Sequence, residues 1–499
     1  MKTKPAITQN VLNDLVFVLL LLMIFIMASR TPVDSDLWWH LRAGQATINQ
    51  GHPLLIDIFS YTHAGENWIN HSWLGQVILY WSYILGGYYG LGLLVAASVT
   101  LGMWFIIRQM TGSIFLKAFI SVLAAIVAAP VWMPRPQIFS FLLMSVTSFI
   151  LFNFKWRKGD HLWVLIPIFI LWSNIHGGYV LGFLLLFGMM AGEIINRVLL
   201  FHGDNEIPRK GLIKLALATL GCILAVLINP NGFQTWLVPF NTVSVQALQN
   251  FIPEWASADF HQLIQQPILW MLFLLITSIG WSEKRLDGTD LVYLIGFGYM
   301  AMVARRNFGP FAIVAAPILS RHAALALTNW LSRFRIKNPG NRRFNQVNHD
   351  VPQYWVKKVI NIALVGMIGL VAILKIYVVS NPILVESVVT ASYPVEAVSW
   401  IKNNLPERNL FSSYNWGGYL IWTLPEYPVF IDGRTDLYGD KTINQWIQVV
   451  QADPGWNEVL DEWNVNTVLI ERTWPINSVL AQSGWKLVYT DLLANIYIR

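Results

Sequence analysis

The chain has 499 residues and a net charge of +6, with 55% of its residues hydrophobic and only 12% charged. Soluble domains carry about 25% charged residues, so this composition excludes an ordinary soluble protein. The 14% aromatic content excludes a disordered chain, and the single cysteine excludes a disulfide framework.

Apolar runs recur along the whole chain and predict membrane-spanning helices. The first run follows Lys2 and Lys4 and lacks a small-residue cleavage site, so we expect a retained anchor rather than a removed signal peptide. The predicted spans lie near residues 11–29, 88–107, 114–131, 137–154, 162–175, 179–198, 211–228, 267–281, 290–304, 308–326 and 357–379. The fold class predicted is a polytopic α-helical membrane protein.

Lysine and arginine residues predict the orientation, because cytoplasmic loops carry an excess of them. With the N-terminus inside, the inner segments collect most of these residues, including a basic linker at 333–356. The long loop 229–266, which falls outside, has no lysine or arginine. The basic residues thus follow membrane topology, which argues against a nucleic-acid partner. We expect an integral inner-membrane protein with its C-terminal residues outside.

The apolar stretch 73–86 decides this topology, because a crossing there would invert every later loop. We interpret it as a short helix tilted at the outer face. The alternative is a crossing that a further span compensates. In both cases the number of crossings is odd, about 11 to 13.

The C-terminal part differs in composition from the rest of the chain. Residues 381–499 have turn clusters, ordinary charge and alternating strand and helix patterns, which predict an extracytoplasmic α/β domain after a transmembrane domain at 1–380. Helices are expected at 394–404, 441–450 and 455–463. Strands are expected just before Asp432, near Val468 and in the closing segment.

Polar residues collect in the predicted outer connections. The first outer loop, 30–72, contains carboxylates and imidazoles, and later outer connections add arginines, an asparagine and another carboxylate. These residues are Asp34, Asp36, His40, Asp57, His71, Arg135, Asn174, His176, Glu254, Arg305 and Arg306. Because all of these connections lie on one side of the membrane, we expect a site there.

A carboxylate beside arginines at a membrane suits transfer from a lipid phosphate. The carboxylate would deprotonate an acceptor hydroxyl, and the arginines would stabilise the departing phosphate. The D-x-D pair Asp34 and Asp36 could instead hold Mg²⁺ or Mn²⁺, or only cap a helix. No other cofactor is expected.

Several motifs resemble those of bacterial membrane proteins of the GT-C glycosyltransferase superfamily, which includes protein mannosyltransferase-like and aminoarabinose transferase-like enzymes. The first is D-x-D-L-W-W-H-L-R-x-G, from Asp34 to Gly44. It is followed by D-x-F-S-Y-T (57–62) and W-x-x-H-x-W-L (68–74). Ser72 departs from the last of these patterns, because many relatives carry Glu at that position. The other motifs are R-P-Q-x-F-S (135–140), W-x-N-x-H-G-G (172–178), N-P-x-G (229–232), E-W-x-S-x-D-F (254–260), R-R-N (305–307), Y-N-W-G-G-Y-L-I-W (414–422) and I-D-G-R-x-D-L-Y-G (431–439).

The resemblance implies a GT-C-like fold and transfer of a sugar from a polyprenyl-phosphate donor to a glycan, lipid or protein acceptor at the outer face. It places the catalytic Asp in the first outer loop. Asp36 is the first choice for the base and Asp34 the second, with His40 assisting. Arg135, Arg305 and Arg306 would bind the donor phosphate. The substrate-positioning candidates are His71, His176, Asn174, Glu254 and Asp57, and the tail residues that would cover the site or hold the acceptor are Tyr414, Trp416, Asp432, Arg434 and Asp436.

Two other functional classes are compatible with a polytopic membrane protein. A transporter or flippase for a lipid-linked glycan usually has polar groups near the membrane midplane, often in paired repeats. The predicted spans here are nearly free of charge, and no repeat is visible. A non-catalytic assembly scaffold, in which the tail binds partners, is the third hypothesis.

Overall fold

Helices make up most of the chain in the computed structural model, which describes residues 6–198, 206–245, 252–337 and 354–499. Each apolar run predicted to span the membrane forms a helix, whereas the basic linker predicted at 333–356 lies largely outside the described residues. The helices up to residue 379 are α1 (Ala6–Ala28), α2 (Leu37–Gln50), α3 (Trp73–Ile107), α4 (Ile114–Ala128), α5 (Gln137–Trp156), α6 (Leu165–Ile175), α7 (Tyr179–Val198), α8 (Arg209–Val226), α9 (Val238–Ser244), α10 (Pro267–Trp281), α11 (Gly288–Val303), α12 (Phe308–Lys337) and α13 (Tyr354–Val379).

Eight helical stretches in the described ranges are long and apolar enough to cross a membrane. Shorter apolar helices lie at Leu162–Ile175 and Gly288–Val303. Large apolar side chains point away from the protein, for example Phe119, which is 59% exposed, and Ile373, which is 64% exposed. Because apolar surface is unfavourable in water, these faces require lipid. The chain is a multi-pass membrane protein, as its composition predicts.

Helix α3 is interrupted at Gly87, where the backbone has φ 57°. Its two parts belong to different cores. Leu79 in the first part packs with α2 and the C-terminal residues, whereas Val99 and Met103 in the second part pack inside the helix bundle. Residues 73–86 thus form a separate helical segment beside the first predicted outer loop. That they do not cross the membrane stays a prediction.

The C-terminal residues form a small sheet with surrounding helices. The sheet order is β1-β2-β4-β3, in which β1 and β2 are parallel and the other pairs are antiparallel. The elements are α14 (Pro382–Ser392), α15 (Val395–Asn404), β1 (Leu410–Ser412), α16 (Tyr414–Thr423), α17 (Thr435–Val450), α18 (Trp456–Glu462), β2 (Thr467–Glu471), α19 (Asn477–Leu480), β3 (Lys486–Thr490) and β4 (Ala494–Ile498).

The strand predicted just before Asp432 is not a regular strand. Val429 forms single bridges to Leu410 on one side and to Ser60 of the first loop on the other. The first loop thereby continues the edge of the C-terminal sheet. Buried residues of α2, including Leu37 and Leu41, also share a core with C-terminal residues. The first loop is therefore held by the C-terminal residues as well as by the membrane helices.

Helix α5 connects two polar clusters. Arg135 precedes its first turn, and Lys155 lies in its last turn. With a rise of about 1.5 Å per residue, the two lie roughly 30 Å apart, about one hydrocarbon thickness. Lys155 is fully buried and bonds Glu193 at 2.5 Å and Asp287 at 2.6 Å, which ties α5 to α7 and to the start of α11. We call the opposite end, which carries Arg135 and contacts residues 381–499, the domain end.

Candidate active site

Arg135 is the centre of a carboxylate cluster at the domain end. The D-x-D turn before α2 brings both of its aspartates to the guanidinium: Asp34 is bound by Nε and, at 2.7 Å, by Nη2, and Asp36 lies 3.0 Å from Nη1. Glu254 approaches Nη2 at 3.2 Å. Burial alone would lower the pKa of Arg135, but the three carboxylates raise it well above its usual value. Arg135 is therefore a permanent cation.

Asp36 has the environment of a general base. It stands at the N-cap position of α2, but its side chain makes no capping hydrogen bond and instead accepts one from Trp39 Nε1 at 3.2 Å. Capping therefore does not account for this carboxylate. Burial raises the pKa of Asp36 to about 6; Asp34 adds to the rise and Arg135 opposes it. A base with this pKa is charged at neutral pH and can still accept a proton.

A divalent cation at the D-x-D pair would have to displace Arg135 from this arrangement. Both oxygens of Asp34 and one of Asp36 are taken by Arg135, and Mg²⁺ or Mn²⁺ would need those oxygens as ligands. No group of three His, Cys, Asp or Glu side chains in the described part of the chain is placed to hold a metal ion. In this arrangement the guanidinium of Arg135 is the positive charge that the carboxylates face.

The C-terminal residues touch this cluster directly through Gly433. A Cβ atom placed on Gly433 would lie 1.9 Å from Asp36 Oδ1 and 3.0 Å from Trp39 Nε1. Only a glycine fits so close to the carboxylate. The loop from Asp432 to Arg434 therefore packs directly against the Asp36 carboxylate.

We expect Gly433→Ala to reduce the reaction at this site about 100-fold, since a displacement of about 1 Å at a reacting group can cost that much. The methyl group must push either the loop or the Asp36 carboxylate out of place. Gly280→Ala, at a position where a Cβ meets no atom within 4 Å, is the matched control and should behave as wild type. Wild-type behaviour of Gly433→Ala would show that the loop does not rest on Asp36 in the working protein.

The tail loop is anchored by a buried ion network. Arg434 bonds Asp57 of the first loop at 2.5 Å and Asp432 at 2.7 Å, and none of these three side chains is exposed. Tyr438 donates its hydroxyl to Asp432 at 2.6 Å. Asp57 also accepts hydrogen bonds from the backbone of Phe59 and from Ser60. With every oxygen engaged, these residues position the loop, and a direct role in acceptor binding stays a prediction.

Three histidines lie near the carboxylate cluster. The rings of His71 and His176 are 6.0 Å apart, and His71 Nδ1 lies 3.7 Å from Asp436. His40 is 6% exposed and its ring lies 3.6 Å from that of Trp39. Burial, followed by the charge of Arg135, lowers the pKa of His40 well below its usual value. His40 is therefore neutral.

The two arginines of the R-R-N motif have different surroundings. Arg305 is half-buried and donates to the Ser257 carbonyl at 3.2 Å. Arg306 lies over the Trp255 ring, with its guanidinium carbon 4.3 Å from the ring centroid. Among the described residues Arg306 has no ion-pair partner, so its N–H groups are free for an anion.

Two predicted site residues make contacts typical of structural residues. Asn174 uses its amide fully: it donates to the Ile170 and Ile228 carbonyls and accepts from Trp73 Nε1, each at 2.8 Å. Trp416 is 2% exposed and donates to the Ser392 carbonyl. Their predicted roles in binding substrate are untested. Tyr414, in contrast, has no hydrogen-bond partner for its hydroxyl among the described residues, and burial, with the charge of Asp36, raises its pKa well above 10.

The fold of the whole chain matches solved structures. The archaeal oligosaccharyltransferase AglB from Archaeoglobus fulgidus, in complex with an inhibitory peptide and a dolichol-phosphate, has a TM-score of 0.59 and 13% identity, over 92% of this chain and 69% of that one. ArnT from Cupriavidus metallidurans in the apo state has a TM-score of 0.52 and 14% identity, over 99% of this chain and 98% of that one. This chain has the GT-C fold. No protein-family model and no curated protein sequence matches it.

The GT-C fold brings together most of the residues that the motifs singled out. Asp34, Asp36, Arg135 and Glu254 form one cluster, and His71 and Asp436 lie beside His176. Gly433 was not among the predicted site residues, although its motif position between Asp432 and Arg434 was a signal. Nothing in the sequence pattern pairs Trp255 with Arg306. The expectation of a GT-C fold is confirmed, and the narrower bacterial branch stays a prediction.

Proposed function

We propose that this protein is a membrane glycosyltransferase that moves a sugar from a polyprenyl-phosphate donor to an acceptor hydroxyl. The observation that carries the proposal is the largely buried carboxylate of Asp36, which has a pKa of about 6 and lies at the domain end of a GT-C bundle. The GT-C fold supports it, and one protein with that fold was solved with a dolichol-phosphate. By the distribution of basic residues, the domain end faces the outside of the inner membrane.

In the proposed step, Asp36 takes the proton of the acceptor hydroxyl as its oxygen bonds to the anomeric carbon of the sugar. The bond between that carbon and the phosphate oxygen breaks, and its electron pair leaves with the polyprenyl phosphate. Arg135 holds Asp36 in place, since it is ion-paired to Asp34 and Glu254 as well. No step uses a metal ion or another cofactor.

Arg306 is the proposed ligand of the leaving phosphate. Arg135 already faces three carboxylates, and Arg305 bonds the Ser257 carbonyl. The guanidinium of Arg306, which has no ion-pair partner in the described ranges, is held over Trp255, so it can offer two N–H groups to a phosphate. Tyr414, with a neutral hydroxyl near Asp36, is the proposed contact of the acceptor.

Co-purified lipid tests the proposal directly. Mass spectrometry of lipid extracted from the purified protein should detect a polyprenyl phosphate, with or without a sugar, and this lipid-linked sugar should serve as donor in a transfer assay. Carrier lipid without transfer or hydrolysis would favour a flippase. Absence of both would contradict the proposal and favour a scaffold.

We expect Arg306→Gln to lower kcat/KM for the lipid donor roughly 10- to 150-fold, the equivalent of losing one charged hydrogen bond of about 1.5–3 kcal/mol. The amount of co-purified carrier should fall as well. Arg305→Gln removes a charge from the adjacent position and is the matched control, with transfer and carrier content close to wild type. Equal losses in the two variants would contradict the assignment of the phosphate to Arg306.

A further inference from the structure

His176 has an unusual set of hydrogen bonds at one ring nitrogen. Its Nδ1 lies 3.0 Å from the backbone nitrogen of Gly178 and 2.8 Å from Ser140 Oγ. Ser140 Oγ in turn lies 2.7 Å from Nε1 of Trp172. The other ring nitrogen, Nε2, has no protein partner among the described residues. Gly178, the second glycine of the H-G-G motif, is required here, because a Cβ on it would lie 2.3 Å from Ser140 Oγ.

These contacts determine which nitrogen of His176 carries the proton. A backbone N–H can only donate, so Nδ1 must accept from Gly178 and cannot itself be protonated. The indole N–H of Trp172 can also only donate, so Ser140 accepts from it and directs its own hydroxyl proton to Nδ1. The hydrogen bonds run in one direction, from Trp172 through Ser140 to His176. The proton of the neutral imidazole is therefore on Nε2.

The surroundings of His176 keep the imidazole neutral. The groups that act on it are His71, whose ring is 6.0 Å away with Asp436 behind it, the cation of Arg306, and His40. Burial, followed by His71 and Arg306, lowers the pKa of His176 well below its usual value. A second proton on the ring would have to go to Nδ1, where Gly178 and Ser140 already donate. His176 consequently presents an N–H at Nε2 at neutral pH.

We propose that His176 is a permanent hydrogen-bond donor, through Nε2–H, to an anionic oxygen of the donor phosphate. The proposal rests on the proposed function and adds a positioning residue to it. The charge of Arg306 acts on His176, and a fixed N–H together with a cation suits an oxyanion, because both groups only donate. The same tautomer excludes His176 as the general base and as a metal ligand through Nε2. The Trp172–Ser140 pair is then part of the site, since it fixes the direction of this donor.

Nitrogen NMR of the full-length protein, with ring-¹⁵N histidine in lipid bilayers, tests the tautomer without any activity assay. The His176 signals are assigned as those lost in His176→Gln. We expect an unprotonated Nδ1 and a protonated Nε2 that do not change between roughly pH 5 and 8, the range in which ordinary histidines titrate. A protonated Nδ1, or an imidazolium that forms in this range, would overturn the proposal.

Two substitutions test the role of the donor. His176→Gln places an amide N–H near the position of Nε2, whereas the shorter His176→Asn places its amide near Nδ1. We expect the KM for the donor to stay within about 10-fold of wild type in His176→Gln. In His176→Asn we expect this KM to rise at least 10-fold more, because one hydrogen bond to a charged group is lost. If both variants fold, as their purification profiles show, and lose donor binding equally, the Nε2–H role is wrong. If the wild-type protein itself transfers no sugar, the proposed function fails, while the tautomer result stands.

Discussion

Asp36→Asn is expected to lower the rate of sugar transfer by about 10²–10⁴, the usual cost of losing a general base. The asparagine keeps the size of the side chain and can still accept the Trp39 hydrogen bond, but it cannot take the acceptor proton. The lipid donor should still co-purify, because Arg306 and His176 are unchanged. The measurement is the initial rate of transfer from the co-purified donor. Near wild-type transfer would move the base to Asp34 and then to Glu254.

The control for Asp36→Asn makes the same chemical change in another carboxylate at the domain end. Asp259 is 40% exposed and bonds His261 and Gln262 rather than Arg135. Asp259→Asn should transfer sugar at the wild-type rate. Chelators should leave the wild-type rate unchanged, because Arg135 occupies the oxygens that a cation would need. Inhibition by a chelator that Mg²⁺ or Mn²⁺ reverses would show that the ion displaces this guanidinium.

The rate of transfer should depend on pH through the protonation of Asp36. Only the deprotonated form of Asp36 can act as a base, and burial raises its pKa to about 6. The rate of transfer should therefore fall as the pH drops through about 6 and should be constant above it. This decrease at low pH should be absent from the residual activity of Asp36→Asn. If the decrease at low pH persists in that variant, it is caused by another titrating group.

The membrane fold could be predicted because its signals are local. Runs of apolar residues specify each helix without reference to the rest of the chain, and the positive residues specify which ends lie together. Helices that alternate in direction then bring every second connection to one end of the bundle. This is why Asp34, Arg135, His176 and Glu254 could be assigned to one site from the sequence alone.

The pairings within the site could not be predicted in the same way. Arg135 and Asp34 are 101 residues apart, and Arg135 and Glu254 are 119 apart, so no local pattern relates them. The isolated outer arginine Arg135 suggested a phosphate ligand, which stays a prediction, but its contacts with Asp34, Asp36 and Glu254 could not be foreseen. The segment before Asp432 has the composition of a strand, but its outer neighbour is the first loop, so it pairs only through the single bridges of Val429. The contacts of Arg135 and the pairing of the segment before Asp432 both depend on packing between residues far apart in the sequence.

Arg434→Met is expected to destabilise the protein more than any of the active-site substitutions. The methionine fills much of the same volume, but Asp57 and Asp432 are left buried without their cation, and removing one partner of a buried pair costs about 3–5 kcal/mol. The first loop and the tail loop should separate, so the thermal midpoint should fall and protease should cut within 30–72. Arg472→Met, at an exposed arginine that bonds the Asp491 carbonyl, is the matched control and should be near neutral.

The change in thermal midpoint caused by a second substitution, Asp57→Asn, distinguishes lost charge from lost packing at Arg434. Asp57→Asn alone should destabilise the protein, because Arg434 then loses one of its two carboxylates. In the Arg434→Met background the same change removes an unpaired buried charge, so it should raise the thermal midpoint. Destabilisation by Asp57→Asn in both backgrounds would mean that the guanidinium acts by filling space between Phe59 and Trp68, whose rings it contacts at 5.2 and 4.9 Å. Opposite signs would show that a buried ion pair holds the tail loop, and with it Gly433, against Asp36.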